Sequence, residues 1–108
     1  MSPSAKILKR LRDQGAKVVK LEHWNHHARV TQDIWGADLL ALQGIKLIAI
    51  QCTSSPHHAS RVKKSKANED VANWLAGGVA FEVWSVNKDD DVRVTQLTLN
   101  GNDEVVEA

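Results

Sequence analysis

The sequence predicts an α/β domain, a mixed central sheet flanked by two helices in the order α-β-β-β-α-β-β. Three observations lead there. Two serine-proline pairs, Ser2-Pro3 and Ser55-Pro56, open segments with helical apolar spacing. Between them, Leu39 to Leu42 and Ile45 to Ile50 are apolar runs of strand length, split by the hairpin signal Gln43-Gly44. Beyond the second helix, 79–86 and 92–99 read as strands, with Phe81 and Val83 alternating against Glu82 and Trp84 in the first of them.

Ser2 caps and Pro3 starts a helix over 3–14, with Ile7, Leu8 and Leu11 on one stripe, Lys6, Lys9, Arg10 and Arg12 on the other, and Gly15 as its stop. Val18, Val19 and Leu21 predict a strand over 16–23, followed by a polar connection through Asn25, His26, His27 and Arg29. A Gln43-Gly44 turn sets Leu42 opposite Ile45, Leu40 opposite Leu47 and Asp38 opposite Ala49. Alternation then gathers Asp38, Leu40 and Leu42 on one face with Leu47, Ala49, Gln51 and Thr53. An acid, an amide and a hydroxyl thus emerge together at the open end of an apolar hairpin. Ser54-Ser55-Pro56 begins a second helix over 56–76, whose apolar side is Ala59, Val62, Ala67, Val71, Trp74 and Leu75 and whose stop is Gly77-Gly78. Asn87 to Asp91 forms a polar turn between the last two strands. The domain is expected to span 1–100, with 101–108 an acidic tail that lacks an apolar period and frays.

The 108 residues make one domain, and 43% apolar with 25% charged residues falls in the ordinary soluble range. No apolar run approaches the roughly 20 residues that cross a bilayer, and the N-terminus lacks the apolar core of a signal peptide. A cytoplasmic protein with no membrane partner is expected. The single cysteine, Cys52, excludes an internal disulfide and reads as a small buried hydrophobe. Net charge of +1 conceals a split, +8 over residues 1–66 and −7 over 67–108. Such a split suits one surface that meets a polyanion and another that avoids it, unless folding mixes the two halves.

At Asp38 and Gln51-Cys52-Thr53 the chain resembles the PD-(D/E)XK nuclease superfamily, particularly its small Holliday-junction-resolvase-like members. There an Asp opens one strand and a (D/E)-x-K triplet closes the next. Asp38 matches the first Asp; Gln51 stands in place of the triplet's carboxylate and Thr53 in place of its lysine. The element order also matches the superfamily's restriction-endonuclease-like α-β-β-β-α-β core, so the resemblance covers about residues 4 to 86.

The resemblance implies a metal-dependent DNA endonuclease, acting on branched or junction DNA with Mg²⁺ (or Mn²⁺), and a homodimer. Asp38, Gln51 and the Cys52 carbonyl become the metal ligands, and Thr53 holds water. An Asp38 occupied in this way predicts that its removal leaves the fold intact. The missing lysine passes to the second helix, with Lys63 leading and Lys64 and His58 next. Glu22 takes the place of an acid that resolvases carry on the first helix, and Asp33, five residues before Asp38, is a further acid or a loop residue. Backbone contacts to DNA fall to Lys6, Lys9 and Arg10, to Arg29, and to His57, Arg61 and Lys64. The alternative is a catalytically degraded module of the same fold that binds DNA without cutting it; an assembly subunit is a third reading. His23, His26 and His27 approximate a zinc-ligand spacing without a cysteine or matched pair beside them. Trp24 and Trp35 are candidates for stacking on unpaired bases, whereas Trp74 and Trp84 are expected in or near the core.

Overall fold

The computed structural model describes residues 1–21 and 23–108, with the side chains of His23, Trp24 and Thr31 outside the description. Helix α1 (Pro3–Asp13) starts as expected, with Pro3 in its first turn and the Ser2 hydroxyl accepting the Ala5 N–H at 3.2 Å. Strand β1 (Lys17–Lys20) follows, and then a separate two-stranded ribbon, β2 (His23–Asn25) with β3 (Val30–Gln32). The expected strand over 16–23 is therefore shorter. The Asn25 side-chain oxygen accepts the N–H groups of His27 and Ala28, turning the chain into the ribbon.

Strands β4 (Leu39–Gln43) and β5 (Lys46–Ser54) form the hairpin, but its turn is Gly44-Ile45. Gly44 takes φ +64°, which suits glycine at the first central position of a type II′ turn. The register is displaced by two residues from the expected one: Leu42 faces Leu47, Leu40 faces Ala49 and Leu39 faces Ile50. A shift of two preserves which face each side chain takes.

A 3-10 turn (Ser55–His57) leads into α2 (His58–Lys66), and α3 (Glu69–Ala76) follows. The single second helix expected over 56–76 is thus two. Asn68 breaks it by adopting an extended conformation and capping α3, its side-chain oxygen accepting the Asp70 N–H at 2.8 Å. Glu69 and Asp70 then place acids in the first turn, where the helix dipole favours them.

Strands β6 (Ala80–Val86), β7 (Val92–Leu99) and β8 (Val105–Glu107) complete a six-stranded sheet in the order β1-β4-β5-β6-β7-β8. Only β5 and β6 run parallel among these pairs. The last strand corrects the expectation of a frayed tail: Asn100 caps a turn with Asn102 and Glu104, and β8 adds to β7. A three-residue strand is too short to show an apolar period.

The fold is α/β, a mixed sheet with helices on both faces. On one face α1 buries Ile7, Leu8 and Leu11 against Val18, Leu39, Ala41, Ile48, Ile50, Cys52 and Val86. On the other, Val62 of α2 and Val71 of α3 pack on Ala49, Phe81, Val83 and Leu97. Among the described residues, no helix is long and apolar enough to cross a membrane.

His58 ties α2 to the sheet. It is buried, with Nδ1 2.7 Å from the Ser85 hydroxyl and Nε2 2.7 Å from that of Thr95. Burial pushes its pKa below the ordinary 6.5, Arg93 adds to the shift, and Glu107 opposes it. The unfolded chain therefore takes up this proton first as pH falls. The stability contributed is complete above the unfolded value and is lost as pH drops through 6.5 towards the lower folded one. Urea unfolding from about pH 8 to about pH 5 is expected to show parent stability falling more steeply than that of His58→Gln, which starts lower. Parallel slopes would remove His58 from the pH response.

Candidate active site

Asp38 directly precedes β4, one residue beyond the Leu39 and Ile50 pair, so its side chain meets that of Gln51 across the strands. Its backbone is fixed on both sides: its N–H donates to Ile50 at 2.8 Å, and its carbonyl accepts from Leu21 at 2.8 Å. The residue is only 8% exposed. Its Oδ2 accepts the Gln51 side-chain N–H at 3.0 Å and the Cys52 backbone N–H at 2.9 Å. Gln51 Nε2 also donates to the Cys52 carbonyl at 3.3 Å. One amide nitrogen thus lies between the two oxygens that the resemblance assigned to a metal.

Gln51 opens onto a cleft of about 170 Å³ lined by Asp33, Gly36, Gln51, Arg61, Lys64, Ser65 and Asn68. Three segments build it. Gln51 comes from β5, Arg61 to Asn68 from α2 and its end, and Gly36 from a two-residue turn between Ile34 and Ala37. Trp35 and Gly36 take φ +52° and +78°, the pattern of a type I′ turn. Gly36 also lets this turn reach the break between α2 and α3: a Cβ there would lie 2.8 Å from Asn68 Nδ2 and 3.2 Å from Val71 Cγ2.

Of the expected site residues, Asp38, Gln51 and Cys52 come together, and of these Gln51 lines the cleft, where Asp33 and Lys64 join it with Arg61. Lys63 is a correction. His58, Val62 and Ser65 are the buried face of α2, and Lys63 does not line the cleft whereas Lys64 does. Successive residues lie about 100° apart around a helix, so neighbouring lysines take different flanks. His58 is a second correction, because its imidazole is held in the core by Ser85 and Thr95 and is not presented to the cleft. Thr53 is buried beside Ser85 in the β5–β6 register and does not line the cleft either. Glu22 lies outside the described residues.

The proposed DNA contacts divide. Arg61 and Lys64 rim the cleft, and His57 is exposed at the start of α2. Lys6, Lys9 and Arg10 belong to α1, on the opposite face of the sheet. There Lys6 pairs with Asp90 at 2.8 Å, which brings the basic and acidic halves of the chain together, and Lys9 pairs with Asp13 of its own helix at 2.9 Å. Lys6 holds the Asp90 carboxyl below its ordinary range. Arg29 sits exposed in the β2–β3 turn.

Among the described residues, no group of three or more His, Cys, Asp or Glu side chains is placed to share a metal ion; His26 and His27 are exposed in the ribbon turn. Cys52 is buried towards α1, as expected, and offers only its backbone to the site. Two features had no counterpart in the sequence reading. Glu82, buried opposite Ile50 on β6, accepts the Trp84 indole N–H at 2.9 Å and the Gln96 amide at 3.2 Å. Gly36 joins the cleft wall, and the signal available for it was a glycine three residues after Asp33 and ahead of an apolar run.

No family model, curated protein or solved structure matches this chain. The site therefore rests on its geometry.

That geometry reverses the expectation that Asp38 is dispensable for folding. Asp38→Ala leaves the Gln51 amide and the Cys52 N–H buried without this acceptor, at a cost of about 2–3 kcal/mol. Asp38→Asn keeps a side-chain oxygen and costs less. Urea unfolding of both variants checks this; an Asp38→Ala protein as stable as the parent would contradict it.

Proposed function

We propose that the chain is a metal-dependent DNA endonuclease whose site is the Asp38–Gln51 pair and the cleft in front of it. The observation that carries this reading is the convergence of Asp38, Gln51 and the Cys52 carbonyl beside a cleft rimmed by Arg61 and Lys64.

The donor set fits a magnesium-type ion. Adjacent ligands around an octahedral ion with bonds near 2.1 Å lie about 3 Å apart. The Gln51 amide nitrogen is 3.0 Å from Asp38 Oδ2 and 3.3 Å from the Cys52 carbonyl. Turning the amide over exchanges two atoms of similar size and brings its oxygen to the same place. Asp38, Gln51 and Cys52 would then hold the ion, which when bound neutralises the scissile phosphate and activates water. Because this set contains one carboxylate, its intrinsic affinity is low, and a DNA phosphate entering the cleft adds the missing negative charge.

The other residues act on the phosphodiester. Arg61 presents a planar fork of donors to phosphate oxygens, and Lys64 supplies a mobile point charge that the triplet lacks at Thr53. Asp33, which also lines the cleft, is the carboxylate available to orient water for attack and accept its proton. Magnesium (or Mn²⁺) as cofactor, DNA as partner and a homodimer that makes paired cuts in branched substrates complete the reading.

A second reading has its own observation. The Gln51 amide already satisfies Asp38 by hydrogen bonding, which suits a degraded module that binds DNA without hydrolysing it.

The test is nicking of supercoiled plasmid and cutting of branched DNA by the purified chain, with and without Mg²⁺ or Mn²⁺. The nuclease reading expects metal-dependent cleavage that Asp38→Asn abolishes. Lys64→Ala is expected to weaken DNA binding and to flatten the log-log salt slope by about 0.9 for the lost phosphate contact. Lys63→Ala is expected to change both less. Salt-dependent binding without cleavage selects the degraded module, and an unchanged slope in Lys64→Ala would remove that lysine from the DNA contact.

A further inference from the structure

We propose that the groove adjoining this cleft takes an unpaired nucleobase, so that the preferred substrate is DNA with a single-stranded or unstacked segment. The inference rests on the phosphate-binding reading of the cleft and specifies what lies next to the bound phosphate.

The groove, about 390 Å³, is lined by Trp35, Asp70, Asn73, Trp74, Gly77 and Val79. It adjoins the cleft along two segments of chain. Trp35 lines the groove and Gly36, the next residue, lines the cleft; Asp70 lines the groove and Asn68, which caps the same helix, lines the cleft. A strand whose phosphate meets Arg61 and Lys64 has this groove within reach of an adjoining base.

Trp35 is an unusual residue for its position. A type I′ turn favours Asn, Asp or Gly at its first central position, and a bulky side chain at φ +52° is strained there. The ring is not repaid by burial, since the residue is 62% exposed. It is nevertheless fixed. The Trp74 ring stands edge-on to it, with centroids 5.7 Å apart at 61°, and the Trp74 indole N–H donates to the Trp35 carbonyl at 3.0 Å. A strained, exposed and oriented aromatic face beside a phosphate cleft is a platform for base stacking. Asn73 offers both a donor and an acceptor, and Asp70 an acceptor, to the polar edge of a stacked base. Duplex DNA keeps its bases stacked within the helix and leaves the platform unused.

The test compares binding of a single-stranded oligonucleotide and of the blunt duplex of the same sequence, by fluorescence anisotropy of the full chain in EDTA. The variant is Trp35→Asn, which suits the turn and removes the ring; Trp35→Phe restores an aromatic face. Trp35→Asn is expected to weaken single-strand binding about tenfold while leaving duplex binding within about twofold, and Trp35→Phe to recover most of the loss. Circular dichroism confirms that each variant is folded. Equal single-strand affinity for folded Trp35→Asn and parent overturns the base groove, while binding that still depends on Lys64 leaves the phosphate reading standing. A parent that binds neither oligonucleotide overturns both. An equal loss on duplex and single strand assigns Trp35 to backbone contact and also overturns the base groove.

Discussion

A carboxylate removed from water must be given donors or a cation, and at Asp38 both demands fall on the same few atoms. Its Oδ2 accepts from Gln51 and Cys52, neighbours on the adjoining strand, and the Gln51 amide returns to the Cys52 carbonyl. This arrangement depends on the β4–β5 register. A Gln43-Gly44 turn would set Asp38 against Ala49, which has nothing to donate from its side chain. The Gly44-Ile45 turn brings Gln51 to it instead. The hairpin, the acid and the amide are therefore one constraint: displacing the strands leaves a buried charge without its donors, an expensive error.

From this pair the cleft is built outward by parts that must approach closely. The turn at Trp35-Gly36 reaches the α2–α3 break because residue 36 has no Cβ to meet Asn68. The break exists because Asn68 leaves helical geometry to cap α3. His58, bonded to Ser85 and Thr95, anchors α2 on the sheet and thereby orients Arg61 and Lys64. The acid, the amide and the two cations come from distant parts of the sequence, yet each is positioned by backbone that is itself hydrogen-bonded or sterically confined.

The face carrying Asp38, Gln51 and Thr53 was legible because strand alternation has period two and survives a two-residue slip. The register was not, since Gly44 belongs to either two-residue loop; the preference for glycine at the first position of a II′ turn is the signal that selects Gly44-Ile45. The division of the second helix was also written in Asn68-Glu69-Asp70, a cap followed by acids, although the apolar spacing runs on through it. The choice between Lys63 and Lys64 was not legible. It depends on which side of α2 meets the sheet, and the partners that fix His58 there stand 27 and 37 residues away in sequence. The short β8 strand gave no period to read, only the Asn100-Gly101-Asn102-Asp103 turn before it.

The central claim is that the Gln51 amide stands at a ligand position beside Asp38 and the Cys52 carbonyl, so that the three together would hold a divalent cation. Gln51→Glu tests it most directly, by thermal unfolding in EDTA and then in Mg²⁺ or Mn²⁺. The substitution replaces a donor with a second carboxylate beside Asp38, so like charges face each other at close range. The account predicts a lower melting temperature than the parent in EDTA, and recovery on adding the divalent ion that exceeds any response of the parent. A variant that melts with the parent in EDTA and does not respond to either metal would contradict it.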